Sequence, residues 1–503
     1  MKQVETELKF ALGRQDPLPS PGDLARTGPV RAHALRAVYL DTRDLLLVRH
    51  RITLRRREGG TDAGWHLKLP RPDGSRLEVH APLVDGPGRT RVPAELVAEL
   101  RSALGHAWPE GVLGVLLPVA VLRTVRLQLD LTDPEDPGHV LAEMCDDAVT
   151  ALPGGESWRE LEVELVDGDV AFLDAVAEVF ARQGVRPATS PSKLARALGD
   201  RPERAARGEA PSPEGPAADV VHTYLAEQVA GILGREDDLR ADAPDAVHKA
   251  RVATRRLRSA LRTFRRLLHR DVTDPLREEV RWFAGALGAP RDAEVVRDRI
   301  LTALEAQDEV VGPVRERVRT SLDERHTRAR AELVGVLDSE RYRELADRLV
   351  ELLAEPPWRG RAHRPADAVL PTQVARAVDR ASATAALASA STGAEQLHQL
   401  HEARKRAKAV RYAYEALAPS FGARAAEAAA RWERVTEELG QVQDSVVAEA
   451  ELTSLARAAE EAGEPTFTYG VLVGRETATR SGERIAGGLH ALAEALDADV
   501  PLG

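Results

Sequence analysis

The sequence predicts an α+β chain: an antiparallel β domain followed by an all-α domain built from two related halves. Three observations carry that prediction. Up to about residue 198, short runs alternate charged and apolar residues, and clusters of Gly, Pro and Asp separate several of them. From Asp219 onward, Ala, Leu, Arg and Glu recur with helical periodicity. Within that region, His248 recurs as His401 and Leu287-Gly288-Ala289-Pro290-Arg291-Asp292 recurs as Leu439-Gly440-Gln441-Val442-Gln443-Asp444, at offsets of 153 and 152 residues. Two landmarks at nearly one offset indicate an internal duplication.

Length and composition bound the rest. A chain of 503 residues is too long for one core, so two or three domains are expected. A net charge of −10 argues against a globally basic nucleic-acid binder, and any basic patch must be local. The single cysteine, Cys145, excludes an intramolecular disulfide and a cysteine-based metal site. No 18-residue apolar run and no signal-like N-terminus is visible, which leads to the expectation of a soluble cytoplasmic protein without a membrane partner.

Taken in order, residues 4–10, 51–57, 64–69, 76–80, 119–131, 140–149 and 159–166 read as strands, and 170–183 as a helix. Residues 199–217 are rich in Pro, Gly and charge without apolar periodicity, which predicts a linker between independently folding domains. The predicted domains are 1–198 and 218–503. A break at Pro356–Pro371 divides the second into halves of about 218–355 and 372–503.

The strands carry charge on one face. Glu5, Glu7 and Lys9 alternate with Val4, Thr6, Leu8 and Phe10, and the pattern returns in Arg51, Thr53, Arg55 and Arg57. It returns again in His66 and Lys68, in Arg76 and Glu78, and in Glu160, Glu162 and Glu164. A solvated sheet face accounts for any one strand. Both signs on so many strands point instead to a closed antiparallel barrel with a charged interior and helices over its apolar outer face. Carboxylates there suit Mg²⁺ or Mn²⁺, and arginines and lysines suit phosphate oxygens.

The Glu-x-Glu-x-Lys run resembles the CYTH superfamily, the triphosphate tunnel enzymes. The resemblance continues through Tyr39-Leu40-Asp41, Leu54-Arg55-Arg56-Arg57, Leu67-Lys68-Leu69-Pro70, Arg159-Glu160-Leu161-Glu162-Val163-Glu164 and Ser192-Lys193-Leu194. It implies an eight-stranded tunnel that binds a linear triphosphate and a divalent metal. By position it implies Lys9, Arg55, Arg57, Lys68, Arg123 and Lys193 as phosphate ligands. It implies Glu5, Glu7, Glu78, Glu160 and Glu162 as metal carboxylates, with one of Asp146 or Asp147. Glu5, Glu7 and Lys9 are the catalytic candidates. Arg126 lies on the strand face opposite Arg123, which is the preferred ligand at this stage. No Gly-rich phosphate loop is present.

In the helical region His248, Arg251, Arg255, Arg258, Arg262 and Arg265 fall at steps of three and four and share a face. Ala250, Ala253, Leu257, Leu261, Phe264 and Leu268 form an apolar stripe two residues, about 200°, away. The second copy is His401, Arg404, Lys408 and Arg411 over Ala403, Ala407, Val410, Tyr414 and Leu417. Residues 248–270 hold nine Lys/Arg and no acid, so an anion that offsets their repulsion is expected. Six of the seven lysines lie in these motifs and those of the β domain. The two helices resemble the CHAD domain, which implies two helical bundles with basic helices lining a shared groove for inorganic polyphosphate. The expected ligands are His248, Arg251, Arg255, Arg256, Arg258, Arg262, His401, Arg404, Lys405, Lys408 and Arg411. Few aromatics interleave with these cations, which favours a bare phosphate chain over specific nucleic acid.

The leading functional expectation is metal-dependent hydrolysis of inorganic triphosphate or short polyphosphate, with water as nucleophile. The alternatives are a non-catalytic adaptor docked on polyphosphate granules and, ranked last, an adenylate cyclase of the CYTH type.

Overall fold

The computed structural model describes residues 2–72, 75–109, 111–480 and 482–499, with backbone only for 2–5, 112 and 113. The chain divides into two compact units. The first is Met1–Glu209 with Ala346–Pro356, and the second is Ala210–Leu345 with Pro357–Gly503.

In the first unit, the strand Lys2–Glu5 resumes after Thr6 as Glu7–Leu12. Its first part pairs with Arg76–Ala81, its second with Ser157–Leu165, both antiparallel. Between those partners the sheet runs in order through Gly64–Pro70, Thr53–Glu58, Arg31–Asp41, Leu117–Thr132 and Val140–Leu152. The N-terminal strand therefore closes eight strands into the expected barrel. Thr6 joins its two parts, its carbonyl accepting from the Leu165 amide at 3.1 Å. Two short segments, Arg26–Thr27 and Arg186–Pro187, pair at the margins. The strand Arg31–Asp41 was not expected. Its alanines, Ala32, Ala34 and Ala37, weaken both β propensity and visible alternation. The strand expected from residue 51 starts at Thr53, after Arg51 takes a left-handed φ of 60°.

Alternation sends apolar side chains outward, where helices cover them. Leu54, Trp65, Leu67 and Val79 lie under Leu96, Leu100 and Leu104 of helix Ala94–Leu104. Phe10, Leu129, Leu161 and Val163 lie under Leu173, Val176 and Phe180 of helix Val170–Arg182. Each fully buried side chain of this kind contributes about 1.5–3 kcal/mol. A third cluster joins Tyr39, Leu122, Val149 and Trp158 to Leu194 and Leu198. Trp158 shares a strand face with Glu160 and Glu162, so the short helix Lys193–Leu198 plugs one end of the barrel. Ser192 caps that helix, its side chain accepting from the Ala195 amide at 3.0 Å.

Residues Ala346–Pro356, the last turns of helix Glu340–Ala354 and the two residues after it, belong to this unit, which the sequence did not foretell. The buried Asp347 carboxylate accepts from the amides of Gly88 and Thr90 at 2.7 and 2.9 Å and from the Thr90 hydroxyl at 2.6 Å. Arg36 donates to Glu351 and Glu355 at 2.8 and 2.6 Å, and Ala354 joins the apolar cluster. The expected linker is also ordered. Arg201–Ala206 is helical, and Arg201 donates to the Val119 carbonyl at 2.9 Å.

The second unit is helical and its halves correspond. Ala217–Leu233, Ala246–Thr263 and Val314–Asp338 match Ala366–Ala390, Gly393–Phe421 and Phe467–Thr479. Arg270–Ala286 and Gly288–Glu305 together match the single helix Ala423–Glu461. Pro290 explains that difference, because it has no N–H for the Ala286 carbonyl. Val442 stands at the matching place, and the second helix runs unbroken. The basic helix Ala246–Thr263 is held by its apolar stripe: Ala250, Ala253, Leu257 and Leu261 are all buried. Among the described residues no helix is long and apolar enough to cross a membrane.

Asp347→Ala should destabilise the full chain by about 1–3 kcal/mol, since it leaves buried donors without an acceptor. An unchanged urea midpoint would show that this segment does not secure the barrel.

Candidate functional site

Inside the barrel the charges sort onto two walls. One wall joins the strands Glu7–Leu12, Val140–Leu152 and Ser157–Leu165. Lys193, first residue of the plug helix, places its ammonium 3.0, 2.8 and 2.6 Å from Asp147, Glu160 and Glu162. Lys9 pairs with Glu162 and, at 3.0 Å, with Glu7. Arg126 grips Asp147, its direct cross-strand partner, with two bonds of 2.8 and 2.7 Å, and reaches Glu162 at 3.0 Å. The Trp158 indole donates to Glu160 at 2.6 Å. Burial works to raise the pKa of Glu162, but Lys193, Lys9 and Arg126 win and hold it well below the usual carboxylate range. The same carboxylates raise the pKa of Lys193 against its burial.

The other wall comes from Thr53–Glu58, Gly64–Pro70 and Arg76–Ala81, and cations dominate it. Arg55 lies opposite His66, and Lys68 opposite Glu78. His66 Nδ1 is 2.7 Å from Glu78, and Nε2 is 2.9 Å from the Asp62 carbonyl. Burial, Arg55 and Arg57 push the His66 pKa far below its usual range. A Cβ on Gly64 would meet His80 Nε2 at 2.2 Å, so glycine makes room for the histidine pair. Arg57 is paired with Asp62, yet burial, Arg55 and Arg126 push it down to about 9. Its guanidinium is thus held in a buried, cation-rich site.

The structure places Lys9, Arg55, Arg57, Lys68, Lys193, Glu7, Glu78, Asp147, Glu160 and Glu162 on the faces that line this interior. Glu5 lies on the N-terminal strand opposite Arg76, and its side chain is outside the described residues. Two expectations are corrected. Arg123 is on the outer face, 59% exposed, and pairs with Glu355; Arg126 is the arginine inside. The signal was present in the sequence: residues 121, 125, 127, 129 and 131 are all apolar, which marks the odd positions as the outer face. Asp146 also lies outside, gripped by Arg159 at 2.8 and 2.9 Å, which leaves Asp147 as the interior carboxylate. Cys145 shares the inner face, and burial pushes its thiol up to about 12, so it stays protonated.

The carboxylate wall offers hard oxygen donors, the type Mg²⁺ and Mn²⁺ take. Its geometry is centred on an ammonium: Asp147, Glu160 and Glu162 converge on Lys193. Among the described residues no group of three or more His, Cys, Asp or Glu is arranged to hold a metal ion by itself. The donor chemistry fits a divalent cation, and the lysine stands at the point of convergence.

In the second unit, part of the predicted basic surface does assemble. Lys408 is pushed down to about 7 by burial, Arg255 and Arg404, with Arg251 adding to them and Asp444 opposing. Arg255 donates to the Tyr412 hydroxyl at 2.7 Å, and Arg251 pairs with Asp292 at 2.7 Å. Asp292 and Asp444 are the aspartates of the duplicated Leu-Gly motif. A Cβ on Gly440 would lie 3.1 Å from Arg404, so that glycine admits the guanidinium. His248 is lowered by burial, then Arg291 and Arg255; His401 is lowered by burial, then Lys405. Arg256 and Arg411 lie over the same Tyr412 ring as Arg255, 5.7 and 5.9 Å from its centroid, but their charge is met locally. Arg256 and Arg411 are neutralised by Glu415 at 2.8 and 2.7 Å, and Lys405 pairs with Glu402. The charged neighbours of Arg258 are Arg281, Glu278 and Arg277, and those of Arg262 are Arg406, Arg380, Arg277 and Arg258. The long stripe read as one face is therefore two clusters.

A charged barrel followed by duplicated basic helices defines a two-domain class, and comparison with known proteins agrees. The CYTH domain model matches residues 3–197, and the CHAD domain model matches residues 223–453. Two uncharacterized Mycobacterium tuberculosis proteins, MT2285 and Rv2226, are each 36% identical over 522 residues, covering 98% of this chain and 97% of theirs. The chain belongs to the CYTH–CHAD family. Among solved structures, PptA from Streptomyces chartreusis is 23% identical over 56% of this chain and 99% of its own, with a TM-score of 0.46. The CHAD domain from the plant Ricinus communis is 24% identical over 56% of this chain and 94% of its own, also at 0.46.

Lys193→Met should destabilise the protein in a pH-dependent way. Glu162 is depressed in the native chain, so its pairing stabilises the fold above the ordinary carboxylate range and fades as pH falls through the depressed value. The variant leaves Asp147, Glu160 and Glu162 to repel one another. Its deficit, about 3 kcal/mol near pH 8, should shrink toward pH 5 as carboxylates protonate. A deficit equal at both values by thermal unfolding would mean that Lys193 acts through packing alone.

Proposed function

We propose that the barrel hydrolyses inorganic triphosphate or another short linear polyphosphate with Mg²⁺ or Mn²⁺, and that the basic helical groove binds inorganic polyphosphate. One observation carries the reading: a wall of carboxylates faces a wall of cations whose Arg57 is lowered to about 9 by burial and then by Arg55 and Arg126. A triphosphate bears about four or five negative charges near neutral pH, which suits such a cation wall. Arg55, Arg57, Lys68 and Arg126 would hold its phosphate oxygens, arginine in forked geometry. Lys9 and Lys193 would bridge the terminal phosphate to the carboxylate wall. Asp147, Glu160 and Glu162 would hold the metal ion, which polarises the phosphoryl group and neutralises developing charge when bound. Glu7, 3.0 Å from Lys9, would take a proton from the attacking water. Since phosphoryl transfer is chiefly positioning and electrostatics, a preorganised charged interior is the main catalytic device.

Arg126→Met should lower triphosphate turnover by about 10²–10³, the loss typical of removing one oriented donor. Arg123→Ala should leave it within about twofold, because an exposed outer-face side chain touches nothing that reacts. Phosphate release from triphosphate, long polyphosphate, ATP and thiamine triphosphate, each with Mg²⁺ or Mn²⁺, tests both points. Faster turnover of a nucleotide would overturn the substrate assignment. Binding without turnover would leave the adaptor reading.

For the groove, replacing Arg251, Arg255, Arg404 and Lys408 by Ala should weaken polyphosphate binding and flatten its salt dependence. Each lost contact removes about 0.7–0.9 from the logarithmic slope, by analogy with nucleic acid. Lys408, at about 7 in the free protein, should be driven back up by a bound polyanion. Binding therefore takes up protons at mildly alkaline pH and weakens as pH rises through 7 and beyond. Calorimetry in buffers of different ionisation enthalpy reads that uptake, which Lys408→Met should reduce. Unchanged uptake would place the phosphate chain elsewhere.

A further inference from the structure

We infer that the helical unit carries a second phosphate-binding site, apart from the groove: a pocket walled by Arg266, Arg359, Gly360 and Arg361, with Arg376 beside it, that takes phosphoryl groups of a phosphate chain. The pocket has a volume of about 420 Å³, room for more than one phosphoryl group. It lies past the end of helix Ala246–Thr263. From Arg255 to Thr263 the helix already rises about 12 Å, and the pocket's arginines are not among the charged neighbours of Lys408.

Backbone bonds fix the segments that carry these side chains. Residues 267–269 and 357–359 form an antiparallel bridge at Leu268 and Trp358. The Arg359 amide donates to the Leu267 carbonyl, and the His269 amide to the Pro357 carbonyl, both at 2.8 Å. Leu267 and Leu268 are fully buried, which anchors the bridge in the core. The Ala362 amide donates to the Arg359 carbonyl at 2.8 Å and closes the turn that carries Arg361. Arg266 and Arg359 are thus presented from two pinned segments rather than from a loose loop. Gly360 leaves the mouth open: a Cβ there would meet nothing within 4 Å.

Charge completes the argument. Burial and then Arg266, Arg361 and Arg380 lower the pKa of Arg376, with Asp379 opposing. Further along, Arg262 is lowered by burial and then by Arg406, Arg380, Arg277 and Arg258. Among the described residues, none of Arg266, Arg359, Arg361 and Arg376 forms an ion pair with a carboxylate. On the adjoining helix, by contrast, Asp274 pairs with Arg270 at 3.4 Å and with Arg277 at 3.2 Å. In a chain with 80 acidic and 70 basic residues, arginines left together without carboxylates need a mobile anion. Arginine selects phosphate oxygens because its planar donors engage two at once.

The inference rests on the proposed polyphosphate reading and extends it to a second place on the same domain. Two variants of the full-length chain test it. Arg266→Gln with Arg361→Gln removes two donors. Gly360→Asp puts a carboxylate into the open mouth, at a backbone position free of left-handed strain. Calorimetry with orthophosphate, pyrophosphate and long-chain polyphosphate compares both with wild type and with the four-residue groove variant. We expect each pocket variant to lose about tenfold in affinity for at least one probe, the scale of one or two lost charge-assisted contacts, while triphosphate turnover in the barrel is unchanged. Loss confined to the long chain identifies a chain segment as the ligand. Loss of pyrophosphate or orthophosphate binding identifies a short phosphate. Wild-type affinity of both pocket variants for every probe, with binding lost in the groove variant, overturns this site alone. A wild-type chain that binds none of the probes overturns the polyphosphate reading, and this site with it.

Discussion

The ammonium of Lys193 sits within 3.0 Å of three buried carboxylates, and the barrel interior is organised around it. Burying one charge costs several kcal/mol unless an opposite charge and hydrogen bonds replace its water. Asp147, Glu160 and Glu162 meet that condition only because Lys193, Lys9 and Arg126 come from three different elements to meet them. The plug helix is therefore more than a lid on the apolar end cluster. Leu194 and Leu198 seat it, Ser192 caps it, and the seating delivers Lys193 to the carboxylates. Packing sets the position of a charge that the site cannot do without.

The facing wall answers the same constraint incompletely. Glu78 and Asp62 supply negative charge, yet Arg57 is still lowered to about 9. The groove shows the same imbalance at lower burial, where Lys408 falls to about 7 although Asp444 is near. In both places burial and neighbouring cations lower a basic group in the free protein. An anion bound at either place would raise it again, which would couple binding to protons as well as to salt.

Much of this was legible in the sequence, and the failures have physical causes. Alternation in Glu7-Leu8-Lys9 and Arg159–Glu164 gave the charged inner face correctly, because strand side chains cannot do otherwise. The choice between Arg123 and Arg126 failed at the next step. Parity says that the two face apart, but which face is inner depends on the whole strand, and Leu129 and Leu131 settle it. The strand Arg31–Asp41 was hidden by its alanines. The packing of Ala346–Pro356 on the barrel was not legible at all. Nothing local in Asp347, Glu351 or Glu355 says that their partners lie some 250–320 positions earlier in the chain. The basic stripe of 248–262 was read as one surface because a periodicity argument treats a helix as isolated. Neighbouring helices bring Arg404 and Lys408 to one stretch of it and Arg277, Arg380 and Arg406 to another.

The duplication sharpens that last point. Arg251, Arg255 and Arg258 are matched by Arg404, Lys408 and Arg411, but their support varies. Arg251 is held by Asp292 at 2.7 Å, whereas its counterpart Arg404 lies over Gly440 and reaches the Thr436 carbonyl at 3.4 Å. Arg291 crowds His248 with a further cation, whereas its counterpart Gln443 offers His401 a neutral hydrogen bond. Pro290 breaks the first helix where Val442 lets the second continue. Repeats used only to build a core would be free to lose these cations, since Ala250, Leu257, Ala403 and Val410 already supply the packing. Three of the cations persist in both halves while the residues that orient them differ. Arg262, by contrast, is matched by Glu415, so what the halves share is the stretch from His248 to Arg258 and not the whole basic face of the helix.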